Sequence, residues 1–412
     1  MRRGPVPVLL CLALLAGGAS TVAPPEPVAP EPGRLIRAEP LRSFPALLVR
    51  AALLVADLPG PIRIRCGART FRVEYWTEDA AGRPLRASGL YAEPSCRRPR
   101  ALVSYQHGSV SRREDVPSAL NTEGAAAAAV FAGGGYLLVA PDYPGLGRST
   151  GVHPYLHAGA TARAGRDLLR AARRLARARG TPWPRDLLLA GFSQGGHATV
   201  ALHRDLEARP LPEQRLLAVA AGSAPFDLAD EAFPFALAGA SDDHAAYLAW
   251  LVHGYASVYG RPLRETLREP WASLVPGLLD GAFDEDDLPR DPRALFTDAF
   301  LAAHDAGEQT WLHAAMRENS THDWTPRAPL RVYFGRDDET VPPRDSARAV
   351  AGMRARGAAV ELVDLGALDH KDAALNAVPP IRAWFDALTE PGRQRSQGSR
   401  RKTAASGGSG AP

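Results

Sequence analysis

One stretch constrains this chain more than any other: Leu187-Leu188-Leu189-Ala190-Gly191-Phe192-Ser193-Gln194-Gly195-Gly196. An apolar run of strand length enters Gly-x-Ser-x-Gly directly and passes into Ala and Val suited to a helix. A sharp strand-to-helix turn is the geometry in which a serine hydroxyl stands clear above a sheet, and the surrounding glycines leave room for close backbone and helix packing. Ser193 is therefore the candidate nucleophile. The competing reading, a Gly-rich turn that holds a nucleotide, calls for Gly-x-Gly-x-x-Gly or a Lys-Ser/Thr phosphate loop, and neither is present here.

The flanking sequence alternates in the same rhythm. Short apolar runs at 101–105, 136–140, 186–190, 216–221, 330–334 and 360–365 read as buried parallel strands. Runs at 71–77 and 85–92 read as a hairpin joined by Ala81-Gly82-Arg83-Pro84. Helical patterns fall at 45–57 and 124–132, and at 160–179 Leu168, Leu169, Ala172, Leu175 and Ala176 recur at helical spacing. The arginines on the other faces of that last segment read as a solvated surface. The expectation is an α/β fold, a mostly parallel sheet covered by helices on both faces. Residues 224–326 break the rhythm, are rich in aromatics and are too long for a loop, so they read as an inserted helical cap.

A serine hydroxyl needs a base to remove its proton and a carboxylate to orient that base, in chain order Ser, acid, His for such a sheet. Two strand ends meet this order: Asp337-Asp338 after the run at 330–334, and His370 after the run at 360–365. Position alone leaves Asp337 and Asp338 as alternatives. His313 and His322 precede the acidic strand end and are out of order, and His197, one turn into the helix after Ser193, reads as a packing or surface residue.

Further stretches carry a resemblance: Pro32-Gly33-Arg34-Leu35-Ile36-Arg37, Gly82-Arg83-Pro84 with Ala87-Ser88-Gly89, Ser104-Tyr105-Gln106, Ala140-Pro141-Asp142-Tyr143, Gly191 to Thr199, Asp338-Glu339-Thr340-Val341-Pro342 and Asp369-His370. Together they span most of the mature chain, which resembles the secretory lipase family, the fungal lipase A-like group of the α/β-hydrolase superfamily. The resemblance implies an α/β-hydrolase fold with an inserted cap and a triad of Ser193, Asp338 and His370, the acid being the Asp of Asp-Glu-x-Val-Pro. It also implies an oxyanion hole formed by the backbone N–H of Gln194 and by Asp142. An Asp donates a hydrogen bond only when protonated, so that role needs a raised pKa. His107-Gly108 departs from the fungal pattern, and in other α/β-hydrolases a His-Gly at this strand end supplies the second N–H, here that of Gly108. The alternative for Asp142 is a turn residue in the loop that follows Pro141.

At 412 residues and 45% hydrophobic content the chain can bury a large core. Met1-Arg2-Arg3, an apolar run over 6–16 and small residues through Ala23 have the layout of a secretory signal peptide at 1–23, too short to span a bilayer. A Pro-rich linker follows at 24–33, then the main domain at 34–388, with the cap at 224–326. A tail at 389–412, with basic residues among Gly and Ser, reads as disordered. Past the leader only Cys66 and Cys96 remain, and an oxidising destination points to one disulfide, two free thiols being the alternative.

The net charge of +4 comes without a folded basic module, which argues against nucleic acid as a partner. The implied ligand is an ester or lipid, taken from solution or an interface, with no stable protein partner and no metal or organic cofactor. A prolyl-type serine peptidase shares the triad order, but the segment before Arg63 is too short for a propeller domain. A non-catalytic binding protein of the same fold is the rival from another class.

Overall fold

The computed structural model describes residues 30–55, 59–96 and 98–390. The expected leader, the linker up to residue 29 and the tail from residue 391 lie outside the described residues.

Alternation of side chains builds one sheet with two apolar faces. Its strands are β1 (Leu35–Phe44), β2 (Ala68–Glu78), β3 (Pro84–Pro94), β4 (Leu102–Gln106), β5 (Leu137–Pro141), β6 (Asp186–Phe192), β7 (Arg215–Gly222), β8 (Leu330–Phe334) and β9 (Val360–Asp364), ordered β1-β2-β3-β5-β4-β6-β7-β8-β9. β1, β2, β3 and β5 pair antiparallel, and every pairing from β5 to β9 is parallel. The mostly parallel sheet agrees with the expectation. β1 was not foreseen as a strand, because it is an edge strand with no buried residue and with Pro40 within it. In the hairpin turn Gly82 takes φ +78°, and the Asp79 carboxylate accepts the N–H groups of Ala81 and Arg83, 2.9 Å each.

Helices fill the connections: α1 (Ala46–Val55) after β1, α2 (Thr122–Ala127) after β4, α3 (Ala158–Ala178) after β5 and α4 (Gln194–Ala208) after β6. Between β7 and β8 lie α5 (Phe233–Leu237), α6 (His244–Tyr259), α7 (Trp271–Leu274), α8 (Asp298–Asp305) and α9 (Trp311–Asn319). α10 (Pro343–Ala355) follows β8 and α11 (His370–Thr389) follows β9. No helix among the described residues is long and apolar enough to cross a membrane.

Leu137, Val139, Leu187, Leu189, Val219 and Val332 point to the face covered by α3, α4 and α10. Leu138, Ala140, Leu188, Ala190, Ala220 and Tyr333 point to the face covered by α11 and the turn after α2. Each fully buried leucine or valine contributes roughly 1.5–3 kcal/mol. The arginines of α3 are not simply solvated: Arg166 pairs with Asp205, Arg173 with Glu213 and Arg174 with Glu31, and Arg163 donates to the Asp79 carbonyl. They tie the helix to α4 and to the hairpin, a use that charge spacing alone does not reveal.

The residues between β7 and β8 have a core of their own, in which Phe233 meets Phe296 and Phe300 edge-on and Trp250 and Tyr255 are buried. Tyr143, Leu146, Tyr155 and Leu156 join this core to the end of β5 and its loop. Cys66 and Cys96 form a disulfide with Cα atoms 5.7 Å apart, stapling the start of β2 to the end of β3. Closing a 30-residue separation this way stabilises the fold by about 3–4 kcal/mol in the chain-entropy description.

Candidate active site

β6 carries Ser193 out of the sheet at its C-terminal end, and α4 begins at the next residue. Ser193 itself holds φ +57° and ψ −125°, a conformation that costs a non-glycine residue about 1–3 kcal/mol. The surroundings hold it there. Its N–H donates to the Gly222 carbonyl (2.9 Å), and its carbonyl accepts from Gly196 (2.9 Å) and His197 (3.1 Å). A side chain at Gly195 would run into the carbonyl of Gln106, and one at Gly191 into the backbone of Gly195, so the close crossing of β4, β6 and α4 demands glycine at both.

The β8 exit and the α11 entrance meet beside this turn. His370, the first residue of α11, directs Nδ1 at both carboxylate oxygens of Asp338, 2.9 and 2.8 Å away. Both residues are buried, whereas Asp337 is exposed. Asp338 Oδ1 also accepts the N–H groups of Thr340 (3.0 Å) and Val341 (2.8 Å), which fixes the carboxylate. The imidazole lies 5.2 Å from the ring of Phe192, the residue before Ser193.

Two histidines that the sequence reading passed over brace this arrangement. His153 is fully buried, and desolvation pushes it down to about 4, so its ring is neutral. Its Nδ1–H donates to the Pro144 carbonyl (2.8 Å), leaving the Nε2 lone pair to accept from the Gln194 side-chain amide (3.0 Å). Gln194 opens α4, where the first amides have no intrahelical partner and the helix dipole is positive. His244, at the start of α6, donates from Nε2 to the Thr340 carbonyl (3.0 Å). That carbonyl and the Val341 N–H belong to one peptide unit, so a histidine of the inserted helices reaches Asp338 through a single amide. Neither residue stands in a recognisable motif, and no spacing signal could have found them.

Gly108 and Asp142, the other groups expected at the oxyanion hole, each have hydrogen-bond partners of their own. The Gly108 N–H donates to the Glu123 carboxylate, 3.1 Å to each oxygen, and Glu123 is also held by the Tyr105 hydroxyl (2.6 Å). Asp142 is fully buried, and desolvation raises its pKa, yet both oxygens act as acceptors: Oδ2 from the Ser88 hydroxyl (2.5 Å) and Oδ1 from the Ser118 N–H (2.9 Å). Asp142 thus pins β3 and the 117–119 turn to the end of β5. His107 is buried against Tyr143, with ring centroids 4.2 Å apart.

His197 is a core residue, its Nε2 2.9 Å from the Asn319 carbonyl and its pKa pushed down to about 4 by burial. A histidine held neutral stabilises the fold above its unfolded pKa of about 6.5, and that stability is lost as pH falls toward 4, because the unfolded chain takes up the proton first. Replacing His197 with Gln is expected to flatten the pH dependence of thermal unfolding, so that the native protein loses about 2 kcal/mol more than the variant between pH 7 and 4.5. Parallel melting curves at both pH values would reject this.

A cavity of about 60 Å³ opens at Ser193 and Gln194. Tyr155, Phe233, Tyr247, Leu248 and Leu251 make most of its wall, and His244 and Thr340 are its polar members. The tip of Tyr155 is held by the Ser109 hydroxyl (2.7 Å). At roughly 10–15 Å³ per water-sized group, the space takes four to six such groups, which suits a short apolar chain.

No family model matches the sequence, and no curated protein matches it. Solved structures do. A protein assigned as a hydrolase from Legionella pneumophila superposes with a TM-score of 0.81 at 28% identity, over 87% of this chain and 99% of that one. The rice cell wall degrading esterase LipA from Xanthomonas oryzae superposes with a TM-score of 0.76 at 26% identity, over 87% and 98%. Candida antarctica lipase A in its closed state shares the fold alone, with a TM-score of 0.66 at 16% identity over 87% and 82%. The chain therefore has the α/β-hydrolase fold of these hydrolases and esterases, and the likeness supports an ester hydrolase.

Proposed function

We propose that the protein is an exported serine ester hydrolase acting on apolar, short-chain acyl esters through Ser193, His370 and Asp338. The observation that carries this reading is the strained turn at Ser193 beside the buried Asp338–His370 pair, at the mouth of an apolar cavity.

With Nδ1–H committed to Asp338, Nε2 of His370 is the nitrogen left to take the Ser193 proton. Ser193 Oγ attacks the ester carbonyl, the proton moves to Nε2, and the imidazolium is stabilised by Asp338. Collapse of the tetrahedral intermediate breaks the C–O bond, and Nε2 returns the proton to the departing alcohol. Water then gives a proton to Nε2 and attacks the acyl-enzyme, and Ser193 leaves with that proton as the acid is released. The Gln194 N–H serves the oxyanion, aided by the positive end of α4. The cavity receives the acyl chain. Export rests on the expected leader and fits the disulfide, since such bonds persist in oxidising compartments.

The test is a series of p-nitrophenyl esters from acetate to palmitate. The expected result is the highest kcat/KM at acetate to butyrate, with a steep fall beyond, because longer chains exceed the cavity. A palmitate optimum would place the acyl chain elsewhere, and absence of turnover across the series would overturn the reading.

A further inference from the structure

Attack on an ester carbonyl puts negative charge on its oxygen, and donors already in place around that oxygen lower the barrier most. The Gln194 N–H is one such donor. The Gly108 N–H donates to the Glu123 carboxylate, and the Asp142 oxygens accept from Ser88 and Ser118. A hydroxyl pair at the same end of the sheet has a proton to spare.

β4 and β6 run parallel with Gln106 opposite Gly191, so Ser109 leaves the sheet at the same end as Ser193. The two exits lie close together, since a side chain at Gly195 would meet the carbonyls of Gln106 and His107. Tyr155 comes from the loop after β5 and walls the cavity that Ser193 and Gln194 also line. His153 ties it to the start of α4: its ring lies 6.0 Å from that of Tyr155, and its Nε2 accepts from the Gln194 side chain at 3.0 Å. Trp250 meets the Tyr155 ring edge-on at 5.8 Å, and Tyr247 stacks on it at 6.4 Å. The ring is thus buried and fixed by packing, and its hydroxyl lies 2.7 Å from Ser109 Oγ.

Each hydroxyl of this pair carries one proton and can also accept. One proton makes the bond between them. The other has no partner among the described residues. Tyr155 is the member whose side chain faces the cavity, and burial raises its pKa, so the phenol keeps its proton.

We propose that the Tyr155 hydroxyl is the second donor to the oxyanion, and that Ser109 is its positioning residue, donating to the phenolic oxygen and turning the phenolic proton toward the reacting carbonyl. The inference rests on the ester-hydrolase reading and adds a catalytic residue to it. A phenol held by three rings and a hydroxyl needs no reorganisation as charge develops on the carbonyl oxygen, which is the condition under which such a donor counts most.

The experiment compares Tyr155→Phe, Ser109→Ala and Ser109→Thr with the native protein on p-nitrophenyl butyrate, each checked by thermal melting. In Tyr155→Phe kcat is expected to fall about 10²–10³-fold while KM stays within about twofold. Ser109→Ala should lose about tenfold, and Ser109→Thr, which restores the hydroxyl, should return to within about threefold of the native rate. Butylboronic acid, which forms a tetrahedral adduct on a serine, should lose affinity in Tyr155→Phe by the same factor as kcat/KM. N-methylbutyramide, an uncharged mimic of the ground state, should bind both proteins alike. Equal weakening of the boronic acid and the amide, with a raised KM, would make Tyr155 an apolar wall and overturn the proposal. Native rates in Tyr155→Phe or in Ser109→Ala would overturn it while leaving the ester-hydrolase reading in place. Absence of turnover in the native protein would overturn both.

Discussion

Turnover of p-nitrophenyl butyrate is expected to fall by roughly five to six orders of magnitude in Ser193→Ala, to the level that binding and the Gln194 N–H support without a nucleophile. KM for the ester should change little, since the hydroxyl contributes to the bond-forming step and not to the apolar wall. The thermal midpoint should stay within a degree or two, because alanine meets the same backbone strain at φ +57° and the same clamp from Gly222, Gly196 and His197. Stopped-flow and steady-state rates on the same preparation, with the melt as control, decide the matter. Residual activity within a hundredfold of the native rate would mean that another group attacks the substrate, and the proposed mechanism would fail.

The second large effect is expected from Asp338→Asn, through proton bookkeeping rather than lost contact. Asp338 Oδ1 accepts two backbone N–H groups, from Thr340 and Val341, so the single carbonyl oxygen of an asparagine must occupy that position. Its NH₂ group then sits where Oδ2 was and points at His370 Nδ1, 2.8 Å away. Two donors cannot face each other, so the imidazole shifts its proton to Nε2 and loses the lone pair that would accept from Ser193. A fall in kcat of about 10⁴ is expected, with the fold retained. Asp337→Asn is the control, since that side chain is exposed, and its rate should stay within twofold. Equal losses in both variants would count against Asp338 as the orienting carboxylate.

Much of this architecture could be read along the chain. The parallel strands are short, apolar and bounded by glycine and proline because they are covered on both faces, and that burial writes itself into composition. The turn at Ser193 was equally legible, since glycines at 191 and 195 are required wherever a helix starts this close to a neighbouring strand. β1 was not legible: an edge strand with one partner has little apolar signature to display.

The surroundings of Ser193 divide in the same way. Whether Asp337 or Asp338 meets His370 could not be told from adjacent positions on a turn, because successive residues differ only in which way the backbone points them. Resemblance favoured Asp338, and it is the one the fold buries against the imidazole. Gly108 and Asp142 show the limit more sharply. A backbone N–H or a carboxylate takes whatever partner the fold brings to it, and Glu123, Ser88 and Ser118 come from elements separated from them along the chain. His153 and His244 escaped notice for the same reason, as each acts through a hydrogen bond to a distant loop.

The alternation of strands and helices, the turn that lifts Ser193, and the order in which a carboxylate and a histidine follow it are all written along the chain. These depend on local sterics and on period-two or helical burial, which act over a few residues. What the packing of distant segments added is the contact of Asp338 with His370, the bracing of Gln194 and of the Asp338 turn, and the room left in the cavity. Each of those depends on distances between segments far apart in the chain, and such distances are set by how the layers pack.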